Sequence, residues 1–360
     1  MKKNIISNGA NISIKVKTKR NFYFSYIKGW AIISIMLIHL LDWSGLILSK
    51  NSLYFKELLY PSVLFFIATA GGLVCLAYGK YDLLTASKKL FRRGGELIAV
   101  YFLYNIIKLY VYDISAEPFY RQFTATGKMD LTDILMLHSF TAPISIILTI
   151  GFFLIISPLF LYLAKTKYSR ATIAFLTAVI LYFGFFTIMP ENLLTDFLYA
   201  KNNIMFPPML WLAPFLICFY LSMLGFEKHK GKLLLAFFSL AMILGILQFN
   251  NFSSVNLTGQ MYPLKLFYIF SSFAFMYGLI YLFYFLEKLN RPAINFLLAL
   301  VRLLGDSTLA IYIYHWIVID LTLWIFYPRE DLILFTVPLF LLIYLGLRKR
   351  RLLEYVKNYK

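Results

Sequence analysis

Residues 26–39 read Tyr26-Ile-Lys-Gly-Trp-Ala-Ile-Ile-Ser-Ile-Met-Leu-Ile-His39 and lie inside an apolar run at 24–48. A run of this length crosses the hydrocarbon core of a bilayer as one α-helix. At 100° per residue, Lys28 and His39 point within about 20° of each other and lie roughly 16 Å apart along the axis. Ionisable residues inside membrane helices are rare and usually functional. The stretch therefore predicts a membrane helix with a cation near one end and an imidazole deeper on the same face.

Similar apolar runs recur along the chain. Of its 360 residues, 61% are hydrophobic and only 14% are charged, which lies outside the usual composition of soluble domains. We therefore predict an all-α fold, a polytopic transmembrane helical bundle at 24–347, with a basic leader at 1–23 and a basic tail at 348–360. The bundle has about ten spans, at 24–48, 58–79, 95–112, 143–164, 170–189, 207–225, 232–249, 262–286, 308–327 and 331–347.

The net charge of +18 follows the predicted topology. With the amino terminus inside, 26 of the 35 Lys and Arg residues fall in inner segments and six in outer segments, as the positive-inside rule requires. Both termini are thus predicted to be cytoplasmic, in a multi-pass protein of the cell membrane. The positive charge indicates contact with the lipid bilayer and not with nucleic acid.

The cysteines argue against a disulfide-stabilised protein and against a cysteine-ligated metal site. Cys75 and Cys218 are the only two, and each lies inside a predicted span. Two isolated cysteines form neither a disulfide framework nor the ligand spacing of a metal site. We therefore expect no bound metal.

His39 is the first candidate catalytic residue. Asp42 lies three residues further on, so the two side chains are neighbours on the helix surface. A carboxylate beside an imidazole fixes its tautomer and raises its basicity, as proton abstraction from a hydroxyl requires. Each residue also has a purely structural interpretation. His39 could pack in the core, Asp42 could lie at the membrane interface, and Lys28 could anchor the helix by reaching to the membrane edge.

A second cluster is basic. Residues 88–96 read Lys-Lys-Leu-Phe-Arg-Arg-Gly-Gly-Glu at the inner end of the third span. Arg92 and Arg93 offer forked donors to phosphate oxygens, and the two glycines allow close approach of backbone N–H groups. The cluster is either a phosphate-binding site on the same side as Lys28 or ordinary positive-inside charge.

The third cluster lies late in the chain. Residues 291–305 have apolar positions at helical spacing with Arg302 on another face, which predicts an amphipathic interfacial helix. The following span carries His315 near its middle, flanked by Tyr312 and Trp316. These residues indicate a polar, aromatic wall of a substrate cavity, or alternatively a packed core histidine.

Several motifs together resemble the membrane-bound acyltransferase family 3. That family has a basic residue and a histidine ten intervening residues later in its first span, as Lys28 and His39 do. Its late Leu-Gly-x-x-Ser/Thr-x-x-x-Tyr-x-x-His pattern is similar to Leu304-Gly305-Asp-Ser307-Thr-Leu-Ala-Ile-Tyr312-Ile-Tyr-His315. Further similar stretches begin at Phe65 and at Pro207-Pro208. Two departures are Lys28 in place of the usual arginine and Gly94-Gly95-Glu96 after Arg93.

The resemblance implies transfer of an acyl group, most simply acetyl from acetyl-CoA, to a hydroxyl of an envelope saccharide. Donor phosphates would bind Lys28, Arg92 and Arg93 inside, and the pantetheine arm would extend toward His39. His39 would be the general base or a transient acyl carrier. The saccharide acceptor would enter from outside, and polysaccharide synthesis machinery is an expected partner.

Two other functions remain open from the sequence. A transporter or flippase for an envelope saccharide would use a polar path, for which Asp42, Lys108 and Asp320 are candidates. A non-catalytic subunit of a polysaccharide synthase would tolerate replacement of Lys28 and His39.

Overall fold

A computed structural model describes residues 22–43, 50–111, 131, 144–166, 169–186, 206–225, 229–249, 264–326 and 329–357. Within these residues every regular element is helical. The principal helices are α1 (Phe22–Trp43), α2 (Lys50–Leu59), α3 (Pro61–Leu73), α4 (Leu83–Val111), α5 (Ser145–Ala164), α6 (Ser169–Phe186), α7 (Pro208–Leu224), α8 (Lys230–Phe249), α9 (Leu266–Leu289), α10 (Pro292–Asp306), α11 (Thr308–Phe326), α12 (Ile333–Leu347) and α13 (Lys349–Lys357). The all-α prediction is confirmed, although most of the basic leader lies outside the described residues.

Each predicted span contains a helix, but the helices differ in length and hydropathy. Six in the described part of the chain are long and apolar enough to cross a membrane, and three shorter apolar helices accompany them. The 29-residue α4 contains the predicted third span up to Val111 and begins twelve residues before it. The chain is therefore a multi-pass helical membrane protein, while the count of ten spans stays a prediction.

Two glycines bring the first and tenth helices into backbone contact. A methyl group at Gly29 of α1 would overlap the carbonyl oxygen of Val301 in α10, and one at Gly305 would overlap the carbonyl oxygen of Ser25. Small residues at such crossings let membrane helices approach closely and gain van der Waals contact. The amino-terminal end of α1 is therefore held directly against α10.

The other helices surround this pair. Helix α1 also packs against α3, α9 and α11, while α3 packs on α7, α4 on α5 and α8 on α9. Proline begins α3, α7 and α10, where its missing N–H costs no helical hydrogen bond. The arrangement places the last third of α1 next to the middle of α11, and this contact contains the candidate site.

Helix α10 confirms that the predicted amphipathic segment is helical, while its interfacial position stays a prediction and one detail differs. Phe296 and Leu297 are about half exposed, whereas Leu298 and Val301 are buried against the bundle. Arg302 was expected on a different face from the apolar positions, yet it is only 5% exposed. The difference arises because α13 folds back over α10 and covers the side chain.

Candidate active site between the first helix and the eleventh

One continuous helix carries both Lys28 and His39. Both residues lie in α1 and both are partly buried. The residues between them on the same stripe, Ile32 and Ile35, are buried in the core. The face shared by Lys28 and His39 therefore points into the bundle over most of its length.

His39 meets a second histidine, which the sequence analysis did not pair with it. Its Nδ1 lies 2.9 Å from Nε2 of His315 in α11. The planes of the two rings differ by 4°, and their centroids are 5.2 Å apart. Two coplanar rings joined edge to edge by a hydrogen bond have this separation, which is too long for face-to-face stacking.

A backbone carbonyl decides the proton positions in this pair. The Nδ1 of His315 lies 3.1 Å from the carbonyl oxygen of Ile311, which can only accept, so this nitrogen carries the proton. In the neutral pair, Nε2 of His315 is then the acceptor and Nδ1 of His39 is the donor. The Nε2 of His39 is left with its lone pair available.

The two histidines differ in accessibility. His315 is completely buried, whereas His39 is partly exposed. Trp316 lies against His39 with ring centroids 4.3 Å apart, and Tyr312 meets His315 edge-on at 5.3 Å. Tyr312 also contacts Phe66 of α3. Of the predicted aromatic wall, Trp316 thus lies against His39 and Tyr312 against His315, and their role in substrate binding stays a prediction.

Asp42 has a different partner from the one we expected. Its carboxylate accepts a hydrogen bond from Lys56 of α2, and the two side chains form an ion pair. The Lys56 and Asp42 side chains are 15% and 29% exposed. The orienting role predicted for Asp42 is therefore untested, while the structure assigns that position beside His39 Nδ1 to His315.

Arg92 and Arg93 lie on the first half of α4. Both guanidinium groups bind the carboxylate of Glu96, at 3.0 Å and 3.1 Å, and both side chains are exposed. This half of α4 packs against α5, where Gly94 faces Gly151. The described contacts do not join these arginines to Lys28 of α1, so a phosphate site shared by the three residues remains a prediction.

A buried ion pair joins the other end of α4 to α11. The Nζ of Lys108 lies 3.0 Å from Asp320, and their side chains are 1% and 3% exposed. The hydroxyl of Tyr104, one helical turn before Lys108, also donates to Asp320. Lys108 and Asp320, both candidates for the polar path of a transporter, neutralise each other across the interface between the two helices.

Within the described residues, no three His, Cys, Asp or Glu side chains are placed to share a metal ion. The site instead offers an accessible imidazole nitrogen, a buried imidazole behind it and aromatic surfaces beside it. These groups can transfer protons without a metal.

A partly exposed imidazole bonded to a buried one, inside a bundle of apolar helices, is an arrangement that can transfer protons. The chain belongs to acyltransferase family 3, because a family model described as an acyltransferase domain matches residues 21–352. The resemblance derived from the sequence motifs is thereby confirmed over essentially the whole chain. No curated protein and no solved structure matches the chain significantly. Family membership identifies a membrane acyltransferase.

Proposed function

We propose that this protein transfers an acyl group, most simply acetyl from acetyl-CoA, to a hydroxyl of a cell-envelope or exopolysaccharide sugar. The observation that carries the proposal is the fixed tautomer of His39. Its Nδ1–H is held by His315, which leaves Nε2 as an acceptor on the partly exposed ring. A base of this kind is what an alcohol needs in order to attack a thioester.

In the proposed reaction, Nε2 of His39 takes the proton of the acceptor hydroxyl as its oxygen attacks the thioester carbonyl carbon. A C–O bond forms and the C–S bond breaks. The imidazolium then returns its proton to the departing thiolate, which leaves as the free thiol. During the step, the Nδ1–H of the positively charged ring donates to His315, which stabilises the charge.

The donor is proposed to enter from the predicted inner side. Lys28 lies on the His39 face of α1, and the offset of roughly 16 Å along the helix suits a pantetheine arm. Arg92 and Arg93 are exposed on α4 and are available to nucleotide phosphates once they release Glu96. Lys28 supplies one positive charge without the two parallel hydrogen bonds of an arginine.

The acceptor is proposed to be a saccharide that arrives from the outer side. Trp316 beside His39 and Tyr312 beside His315 offer the aromatic faces on which a sugar ring stacks. The acceptor can be a polymer or a lipid-linked unit, and components of polysaccharide synthesis are the proposed partners.

The test is acyl transfer by the purified full chain in lipid vesicles supplied with radiolabelled acetyl-CoA and extracted envelope polysaccharide. We expect His39→Ala to lower turnover by about 10²- to 10⁴-fold, the usual contribution of a general base. His229→Ala is the matched control because this exposed histidine precedes α8, far along the chain from the site. Full transfer by a correctly inserted His39→Ala protein would exclude the proposed role.

Transport of an envelope saccharide is the second candidate, and the buried Lys108–Asp320 pair is the observation that favours it. Intramembrane charges often mark substrate paths. Because these two charges neutralise each other, we rank transport below acyl transfer. Dependence of the saccharide's O-acylation on acyl-CoA distinguishes the two functions. A non-catalytic subunit would retain its function after replacement of both Lys28 and His39.

A further inference from the structure

Two cationic side chains are buried in the described part of the chain, and they differ in how their charge is balanced. Lys108 is 1% exposed and forms an ion pair with Asp320. Arg302 of α10 is 5% exposed. A buried cation is expected to have a counter-charge and hydrogen-bond acceptors, because removal from water is costly.

In the part of the chain that the structure describes, Arg302 packs against aromatic rings and forms no ion pair with a carboxylate. Its guanidinium carbon lies 3.8 Å from the ring centre of Phe22 in α1 and 4.3 Å from that of Tyr355 in α13. The Nε of Arg302 is buried and has no acceptor within the described residues. Guanidinium donors all lie in the plane of the group, so an aromatic ring packed against its face does not occupy the N–H edge, which can bind a ligand.

Asp306 is the carboxylate one helical turn after Arg302 in α10, and it binds other residues. It accepts hydrogen bonds of 2.6 Å each from Ser25 and Tyr355, and it lies 3.8 Å from Arg351. Burial and the Asp306 carboxylate raise the pKa of Tyr355, so its hydroxyl remains a donor. No ion pair between Asp306 and Arg302 forms among these residues, although they are one helical turn apart.

The surroundings of Arg302 add positive charge. Helix α13, which covers it, has the sequence Lys-Arg-Arg-Leu-Leu-Glu-Tyr-Val-Lys, with four cationic residues and one carboxylate. An anion is therefore attracted to this region, whereas an additional cation is repelled. An oxyanion with several oxygens matches the planar fork of an arginine, and phosphate is the commonest such group.

We propose that the N–H edge of Arg302, between the rings of Phe22 and Tyr355, binds a phosphate group at the predicted inner face of the bundle. Two sources carry that group there. One is the nucleotide part of a coenzyme A thioester, and the other is the headgroup of an anionic phospholipid. The coenzyme A source rests on the proposed acyl transfer, whereas the phospholipid source does not, and binding of either probe is measured without turnover.

The experiment measures binding to the full chain in maltoside detergent, which contains no phosphate. Coenzyme A binding is followed by isothermal titration calorimetry, and phosphatidylglycerol binding by native mass spectrometry. Arg302→Met retains an unbranched stem between the two rings but removes the charge and the donors. Arg350→Met is the matched control because Arg350 is an exposed cation of α13, the helix that covers Arg302.

We expect Arg302→Met to weaken binding of at least one of the two probes by about tenfold or more, as loss of charge-assisted hydrogen bonds implies. Arg350→Met should change both affinities less than about twofold, as expected for an exposed and screened charge. A loss confined to coenzyme A identifies the nucleotide source, and a loss confined to phosphatidylglycerol identifies the lipid source.

Unchanged binding of both probes by a folded Arg302→Met protein would overturn the site and make Arg302 a purely structural cation. Should the methionine variant not fold, Arg302→Gln replaces it, because its amide keeps a donor without the charge. Weakened or unchanged binding of the two probes by Arg302→Gln then decides whether the phosphate site exists. The bound probe should also raise the thermal midpoint of the wild-type protein more than that of the variant.

Discussion

The Nδ1 of His39 and the Nε2 of His315 lie 2.9 Å apart although the two residues are 276 positions apart in the chain. The partly exposed ring can meet a substrate, and the buried ring behind it holds the proton on the nitrogen that faces away from the substrate. In serine hydrolases a carboxylate has this second position. Here the neutral imidazole of His315 occupies that position, so the resting pair of histidines carries no buried charge.

His315 should therefore act through His39 and is testable as a positioning residue. We expect His315→Phe to lower turnover by about 10- to 100-fold, because it removes the acceptor for the Nδ1–H of His39. His315→Gln should recover a large part of that loss, since its amide oxygen can accept the same bond. Turnover as a function of pH, measured for both variants, gives the readout. Equal losses in the two variants would indicate a packing role alone.

Asp42 should matter much less for turnover than His315 does. Its carboxylate binds Lys56, so Asp42→Asn is expected to weaken the contact between α1 and α2 without changing the tautomer of His39. A double-mutant cycle with Lys56→Met should give a coupling energy of about 1 kcal/mol or less. A loss of turnover for Asp42→Asn as large as that of His315→Phe would favour the orienting role predicted from the sequence.

The Lys108–Asp320 pair should be important for stability. Lys108→Met leaves Asp320 buried beside Tyr104 without its counter-charge, at an expected cost of about 3–5 kcal/mol. The double variant Lys108→Met/Asp320→Asn should recover much of that loss because no uncompensated charge remains. Thermal unfolding in detergent measures both. Equal stability of the wild type and the Lys108→Met variant would contradict the pairing.

The glycine contact between α1 and α10 should tolerate no side chain. Gly305→Ala would place a methyl group on the carbonyl oxygen of Ser25, and backbone cannot yield as a flexible side chain can. We expect a loss of about 1–3 kcal/mol in unfolding free energy. Gly346→Ala in α12 is the control: its added methyl group meets no atom within 4 Å, so the change should be neutral or stabilising by up to about 1 kcal/mol. Comparable losses in both variants would argue against the contact.

Sequence patterns predicted the helices well because hydrophobic length and proline position act locally. The shared face of Lys28 and His39 is also a local property of one helix. The pairing of His39 with His315 and of Asp42 with Lys56 depends on which helices become neighbours, and no period along the chain contains that information. The burial of Arg302 was missed for the same reason, since it requires α13 to cover α10. The backbone bond from His315 to Ile311 could have been anticipated, because a helical histidine can reach the carbonyl four residues earlier.

The bond from His315 to the carbonyl of Ile311 also bears on the energetics of the cell. That oxygen cannot take up a proton and pass it on, so no proton is relayed from His39 through His315 to this carbonyl. In the proposed reaction, the proton that His39 takes from the acceptor hydroxyl therefore leaves only on the thiol product. An enzyme that admits one reactant from each side of a membrane then moves protons only in step with product formation, and its idle site provides no proton leak for the electrochemical gradient around it.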